Sequence, residues 1–165
     1  MLNPYEAALQ ALEFCREKTL ATLDAIEKLP ATDPMQVLGW RPGPGRAHIA
    51  WQLMHLGVTE ELFATERLLG TPPGFADFVP RFRGGSTPDD AIPAPQTIRH
   101  VLNESREHLR KTLLSLTEAD LDRIPPALKE RGISVARALK ILPWHEAHHQ
   151  GQAHITLNLY RATHT

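Results

Sequence analysis

The chain has 165 residues, with 18 lysines and arginines against 19 aspartates and glutamates, and a formal net charge of −1 at pH 7. This length predicts a single domain over residues 1–165. The balanced charge argues against nucleic acid as a partner, because such proteins carry a basic face. No apolar run approaches the ~20 residues of a membrane span, and the first residues lack the pattern of a signal peptide. We therefore expect a cytoplasmic protein that does not enter the membrane.

The first predicted element is an amphipathic helix. Asn3 suits the N-cap, Pro4 the first helical position, and Glu6 completes a capping box. An apolar stripe follows at steps of three and four residues: Tyr5, Leu9, Leu12, Cys15, Thr19, Leu23 and Ile26. Cys15 is the only cysteine, which excludes an internal disulfide, and its place on the stripe predicts a small buried core residue. Pro30 is expected to end the helix.

A second helix is predicted from about Ala47 to Leu69, after a loop over residues 30–46 that is rich in proline and glycine. At about 100° per residue, one face of this helix carries His48, Gln52, His55, Thr59 and Leu62. Residues 70–94 show no period and form a long connection, which either covers the mouth of a site or crosses the surface between parallel helices.

The third and fourth long helices are predicted from Pro95 to Leu116 and from Ser134 to Arg161. On the third helix, His100, Glu104 and His108 line up, but the residues beside them are charged, so we interpret them as solvated surface. The fourth helix contains Pro143, which removes one backbone hydrogen bond. Four amphipathic helices with one long crossover predict an all-α fold, a four-helix bundle.

The fourth helix carries the segment with the clearest chemistry, Trp144-His145-Glu146-Ala147-His148-His149. His145 and His149 are four residues apart, so their rings lie one helical turn apart, at a spacing that suits one metal ion. Their face is apolar, and two histidines there need either a metal or a buried polar network. His55 is the best third ligand because it lies at the centre of a buried helix. His154 and His164 are expected to play no part.

The same segment also satisfies the H-E-x-x-H pattern of metalloproteases, in which Glu146 would be the general base. The extended form of that pattern requires glycine and histidine where this chain has Gln152 and Ile155. No strand pattern precedes the helix to hold a peptide. We therefore expect Glu146 to pair with a neighbouring side chain and His148 to be peripheral.

Two motifs together resemble the DinB/YfiT-like superfamily of metal-dependent enzymes. They are the segment Ile49-Ala50-Trp51-Gln52-Leu53-Met54-His55-Leu56 and the motif His145-x-x-x-His149-x-Gly151-Gln152. The resemblance implies an up-down-down-up four-helix bundle with a long crossover between its second and third helices. It also implies a divalent metal held by His55, His145 and His149, and a homodimer. Some branches of the family transfer groups to low-molecular-weight thiols such as bacillithiol or mycothiol.

The sequence thus predicts a metal-dependent enzyme that acts on a small molecule. Three histidine ligands leave a coordination position open, as in catalytic sites, and Zn²⁺ or Ni²⁺ suits imidazole ligands. We expect a thiol-dependent S-transferase with a low-molecular-weight thiol as cosubstrate; the alternatives are a metal-dependent hydrolase and a non-enzymatic metal- or ligand-binding stress-response module. A structural dimer whose histidines form a polar core network is a further alternative. Around the metal, the residues expected to line the pocket are His48, Gln52, Thr59 and Gln152.

Overall fold

The computed structural model describes residues 2–164, and within them every regular element is a helix, as predicted. Four helices are long and two are short. In chain order they are α1 (Pro4–Glu27), α2 (Pro34–Gly39), α3 (Ile49–Leu62), α4 (Val79–Phe82), α5 (Pro95–Ser115) and α6 (Val135–His164). A π-helical turn, Phe63–Arg67, continues α3, and two 3₁₀ turns, Glu118–Asp120 and Pro126–Leu128, connect α5 to α6. None of the helices in residues 2–164 has the length and hydropathy that crossing a membrane requires.

The start of α1 follows the predicted capping pattern. The Asn3 side chain accepts a hydrogen bond from the Glu6 amide at 2.9 Å, and the Glu6 carboxylate accepts one from the Asn3 amide at 3.0 Å. The same chemistry begins α2, where Asp33 accepts from the Met35 amide and Pro34 occupies the first turn. The predicted loop over residues 30–46 therefore contains a short helix, which begins at an Asp-Pro pair much as α1 begins at Asn-Pro.

Helix α3 lies at the centre of the packing. It contacts α5 along one side and α6 along another, while α1 packs mainly against α6. The closest approach to α5 occurs at Gly57, where an added Cβ would lie 2.8 Å from Val101 Cγ1. Helix α3 is buried on nearly every side, and its buried residues include polar ones: Gln52, His55, Thr59, Glu60 and Glu61.

The long connection between α3 and α5 is held in place by contacts of residues 81–90. His48 caps α3, and its Nε2 lies 2.8 Å from the Asp89 carbonyl oxygen. Arg81 forms an ion pair with Asp89 at 2.8 Å, and Arg41 forms one with Asp90 at 2.8 Å. These contacts hold α4 against α3 and bring the Phe82 carbonyl beside the buried face of that helix.

Helix α6 continues through Pro143 for thirty residues in all. Its buried face is mostly apolar, with Ala138, Leu142, Ala153 and Leu157 packed against α1 and α3. His164, expected to lie in a frayed tail, belongs to this helix, and its ring stacks on Tyr160 with the centroids 4.1 Å apart. The C-terminal turn is thus ordered by aromatic contacts.

Candidate metal centre

Three histidines from two helices meet on the inner side of α3 and α6. Helix α3 supplies His55, and α6 supplies His145 and His149, one turn apart. One ring nitrogen of each lies within 4.8 Å of the other two. His55 Nε2 faces His145 Nε2 at 3.1 Å. The structure therefore brings together the three side chains that the sequence singled out, across ninety residues of chain.

Two of these rings are held in a fixed orientation through their other nitrogen. The Nδ1–H of His55 donates to the Phe82 carbonyl at 2.7 Å, and the Nδ1–H of His149 donates to Gln52 Oε1 at 2.5 Å. Trp51 stacks on His55 with the centroids 4.6 Å apart and the planes within 8°. An acceptor on Nδ1 leaves the Nε2 lone pair free, as is usual for metal-binding histidines.

Burial keeps the cluster uncharged. Burial and, to a lesser extent, the neighbouring His55 lower the pKa of His145 to about 4. Burial also lowers the pKa of His149 to about 3, with contributions from His145 and His55. The pKa of His55 is also lowered, mainly by burial. All three imidazoles are therefore neutral at pH 7, which is the form that binds metals.

The geometry fits a divalent ion. Two imidazole nitrogens bound to one Zn²⁺ at ~2.0–2.1 Å with a tetrahedral angle lie about 3.3 Å apart, close to the 3.1 Å between His55 Nε2 and His145 Nε2. The donor set is all nitrogen, and no carboxylate of the described residues belongs to the cluster. Such a set suits Zn²⁺ or Ni²⁺ better than Ca²⁺ or Mg²⁺.

The residues expected to line a pocket are distributed over two cavities beside the histidines. Gln52 and Gln152 line one of about 440 Å³, together with Trp51. Thr59 lines another of about 190 Å³, together with His55 and His145. Only the second of these cavities is lined by histidines of the cluster.

His48 has a different position from the one expected. Its Nδ1 accepts from the Trp51 amide at 3.0 Å, and its Nε2 is bound to the Asp89 carbonyl. Both ring nitrogens are therefore engaged with the backbone, and the side chain is 1% exposed. His48 caps α3 and holds the connection in place, so it offers neither nitrogen to a substrate.

His148 is peripheral, as the helical geometry suggested. Its exposed ring stacks on Trp144, and its Nε2 lies 2.8 Å from Gln152 Nε2. His154 is also exposed and lies in a groove between α1 and α6, away from the cluster.

A buried network of four charges lies next to the histidines, and each long helix supplies one member. Arg16 of α1 bonds Glu146 Oε1 at 2.7 Å and Glu60 Oε2 at 2.8 Å. Arg106 of α5 bonds Glu60 Oε1 at 2.6 Å and Glu146 Oε2 at 2.5 Å. Thr19 donates a further bond to Glu146. We name these four residues, Arg16, Glu60, Arg106 and Glu146, the charge network.

The charge network revises two expectations. Arg106, which we had counted among the solvated neighbours of the His100 ladder, is 4% exposed. Glu146 pairs as expected, but deep in the interior, and both of its oxygens are bound to arginine. Burial and the charge of Glu60 raise the pKa of Glu146. Burial would raise the pKa of Glu60 as well, but Arg16 and Arg106 outweigh it and lower that pKa.

The spacing of residues in α1 already indicates that Arg16 is buried. Arg16 lies four residues after Leu12 and three before Thr19, which is the helical step of the buried stripe. It takes the inward position that we had assigned to Cys15, and Cys15 is consequently only half-buried. A charged residue at a stripe position therefore indicated a buried ion pair.

The ladder on α5 is only partly solvated. His100 and Glu104 are exposed, but His108 Nδ1 lies 2.7 Å from Glu61 Oε2. Glu61 is fully buried, and its other oxygen accepts from the Gly74 amide at 2.7 Å. His108 thus helps fix the start of the long connection, which corrects its assignment to open surface.

Comparison with known families agrees with this architecture. The profile of the DinB superfamily matches residues 8–153, a range that includes all three histidines of the cluster. None of the curated proteins compared with the sequence matches it. Since the match covers most of the chain and reaches all four long helices, this protein belongs to the DinB superfamily.

Proposed function

We propose that this protein is a metal-dependent enzyme whose divalent ion, Zn²⁺ or Ni²⁺, is held by His55, His145 and His149. The observation that carries the proposal is the convergence of three neutral imidazoles within 4.8 Å on a buried face. A purely structural network would pair each histidine with an acceptor. Here the Nδ1 atoms of His55 and His149 are paired, while the Nε2 atom of His55 faces the Nε2 atom of His145 at 3.1 Å.

The proposed reaction is the transfer of a group to the sulfur of a low-molecular-weight thiol. Three protein ligands leave a coordination position open to a small molecule. A divalent ion held there supplies Lewis acidity. The support for thiol chemistry is family membership, together with the pairing of Glu146 with Arg16 and Arg106, which makes this carboxylate unavailable as the base of a metalloprotease mechanism. Metal-dependent hydrolysis is the alternative that the assay below distinguishes.

The chain's own residues prepare the site. Gln52 and the Phe82 carbonyl hold the protons of His149 and His55, which fixes the orientation of both rings. Trp51 covers one face of His55 and keeps water from it. The proposal also includes the up-down-down-up topology of the four-helix bundle, a homodimer and a cytoplasmic location, as the resemblance implies.

The metal is tested on protein purified without an affinity tag. Elemental analysis should give about one divalent ion per chain. Adding Zn²⁺ or Ni²⁺ at 100 times its Kd should raise the free energy of unfolding by about 2.7 kcal/mol. His149→Ala should abolish both effects, and His154→Ala, an exposed histidine on the same helix, should change neither. Protein without metal and without a thermal shift would overturn the proposal.

The reaction is tested on the metal-loaded protein. Low-molecular-weight thiols are screened with electrophiles, and ester and amide substrates are screened without thiol. Thiol-dependent turnover that His149→Ala removes supports the transferase. Turnover that needs no thiol supports the hydrolase, and metal binding without turnover in either screen indicates a binding module.

A further inference from the structure

The 190 Å³ cavity has a positive wall as well as histidines. It is lined by His55, Thr59, Phe63, Arg67, Gly84, Arg131, Ile133, Ile141, Trp144 and His145. Two arginines therefore share a small cavity with two of the three histidines. At ~30 Å³ for each water, the cavity has room for about six water molecules. A small organic molecule fits in the same volume.

The arginines of this cavity have no acidic partner in the part of the chain that the structure describes. Neither Arg67 nor Arg131 forms an ion pair or a side-chain hydrogen bond there. By contrast, each arginine of the charge network is bonded to both Glu60 and Glu146. Burial lowers the pKa of Arg67, and the positive charges of Arg131 and Arg83 lower it further, against a smaller opposing effect of the Glu66 carboxylate. Positive charges gathered without a directly bonded carboxylate favour an anion between them.

The backbone places Arg67 in this cavity through the π-helical turn. His55, Thr59, Phe63 and Arg67 are spaced four residues apart, and in a regular α-helix each such step drifts by about 40°. The π turn Phe63–Arg67 winds less per residue and offsets part of that drift. The guanidinium also stacks over the Phe63 ring at 4.5 Å, which leaves its in-plane N–H donors free.

We propose that this cavity binds the carboxylate of a small substrate, with Arg67 and Arg131 as its ligands and the three-histidine centre beside it. The inference rests on the proposed function, because a carboxylate bound here would position the reacting group of the substrate at the proposed metal centre. A planar carboxylate matches the guanidinium fork, and the remaining walls are apolar or aromatic: Phe63, Ile133, Ile141 and Trp144. A phosphonate or phosphate group also matches the guanidinium fork, so the test below includes one.

The test compares benzoate with benzamide and phenylphosphonate by calorimetric titration. Benzoate should bind at least about tenfold more tightly than benzamide, because a charge-assisted pair contributes more than a neutral one. Arg67→Met should remove most of that preference. Arg131→Met, at an exposed position that should tolerate the change, should reduce it too. Arg67→Lys should retain part of it, and Arg110→Met, an exposed arginine on α5, should leave it unchanged.

Each titration is run on metal-loaded and on chelator-treated protein, with the metal content measured on the same samples. An arginine-dependent preference for benzoate in both forms supports the cavity, even if the protein proves not to bind metal. Benzoate binding that survives both arginine substitutions but disappears with the metal would overturn it while leaving the metal centre intact. Tighter binding of phenylphosphonate than of benzoate would overturn the carboxylate assignment.

Discussion

Replacing Arg106 with methionine should strongly destabilise the protein. The substitution removes a guanidinium that is 4% exposed and bonds Glu60 and Glu146 at 2.6 and 2.5 Å. Both carboxylates would then depend on Arg16 alone, and the interior would hold one uncompensated negative charge. Breaking a buried ion pair from one side costs about 3–5 kcal/mol. For a chain of this size, each kcal/mol lost from the free energy of unfolding lowers the melting temperature by about 2–4 °C, so the total fall should be roughly 6–20 °C.

Urea denaturation followed by circular dichroism measures this cost. Arg110→Met, one turn further along α5 and exposed, is the matched control and should change stability by no more than about 0.5 kcal/mol. Adding Glu146→Gln to Arg106→Met removes the uncompensated charge, so the double variant should be more stable than Arg106→Met alone. If Arg106→Met costs less than about 1 kcal/mol, or if the second substitution only adds to the loss, the charges are solvated and the reasoning is wrong.

Two further predictions concern packing and pH. Gly57→Ala should lower the free energy of unfolding by about 1–3 kcal/mol, since the new methyl group would lie 2.8 Å from Val101 Cγ1. Gly151→Ala, in open space on α6, should raise it by about 0.5–1 kcal/mol. Urea denaturation measures both changes. Lowering the pH from 6.5 towards 4 should destabilise the metal-free protein, because unfolded histidines take up protons near pH 6.5 while His145 and His149 stay neutral to about pH 4 and about pH 3. Replacing both histidines with alanine should flatten this dependence, and an unchanged slope would contradict it.

The sequence was most informative where the signal is local. The capping box at Asn3 and the four-residue spacing of His145 and His149 depend only on helical geometry, so both could be read directly. His55 required one further inference, that an inward histidine on a buried helix would face them. The structure brings these histidines together because α3 and α6 pack side by side.

The sequence was least informative where one residue has two plausible environments. Arg106 stands among charged neighbours, and only its spacing from Leu102 and Leu109 shows that it points inward. His48 continues the face of His55 by angle, but it lies at the N-cap, where the side chain turns back to the backbone. Its bond to the Asp89 carbonyl depends on how residues 70–94 fold, and that segment has no periodicity to predict from.

The charge network also determines how the helices are aligned along their axes. Because each long helix contributes one charge, sliding any helix by one turn, about 5.4 Å, would take its charge out of reach of both partners. Glu146 immediately follows His145, and Glu60 lies five residues after His55 on α3. The ion pairs that align α3 and α6 therefore also fix the height at which His145 meets His55. The position of His145 relative to His55 is thus set by ion pairs that involve neither histidine.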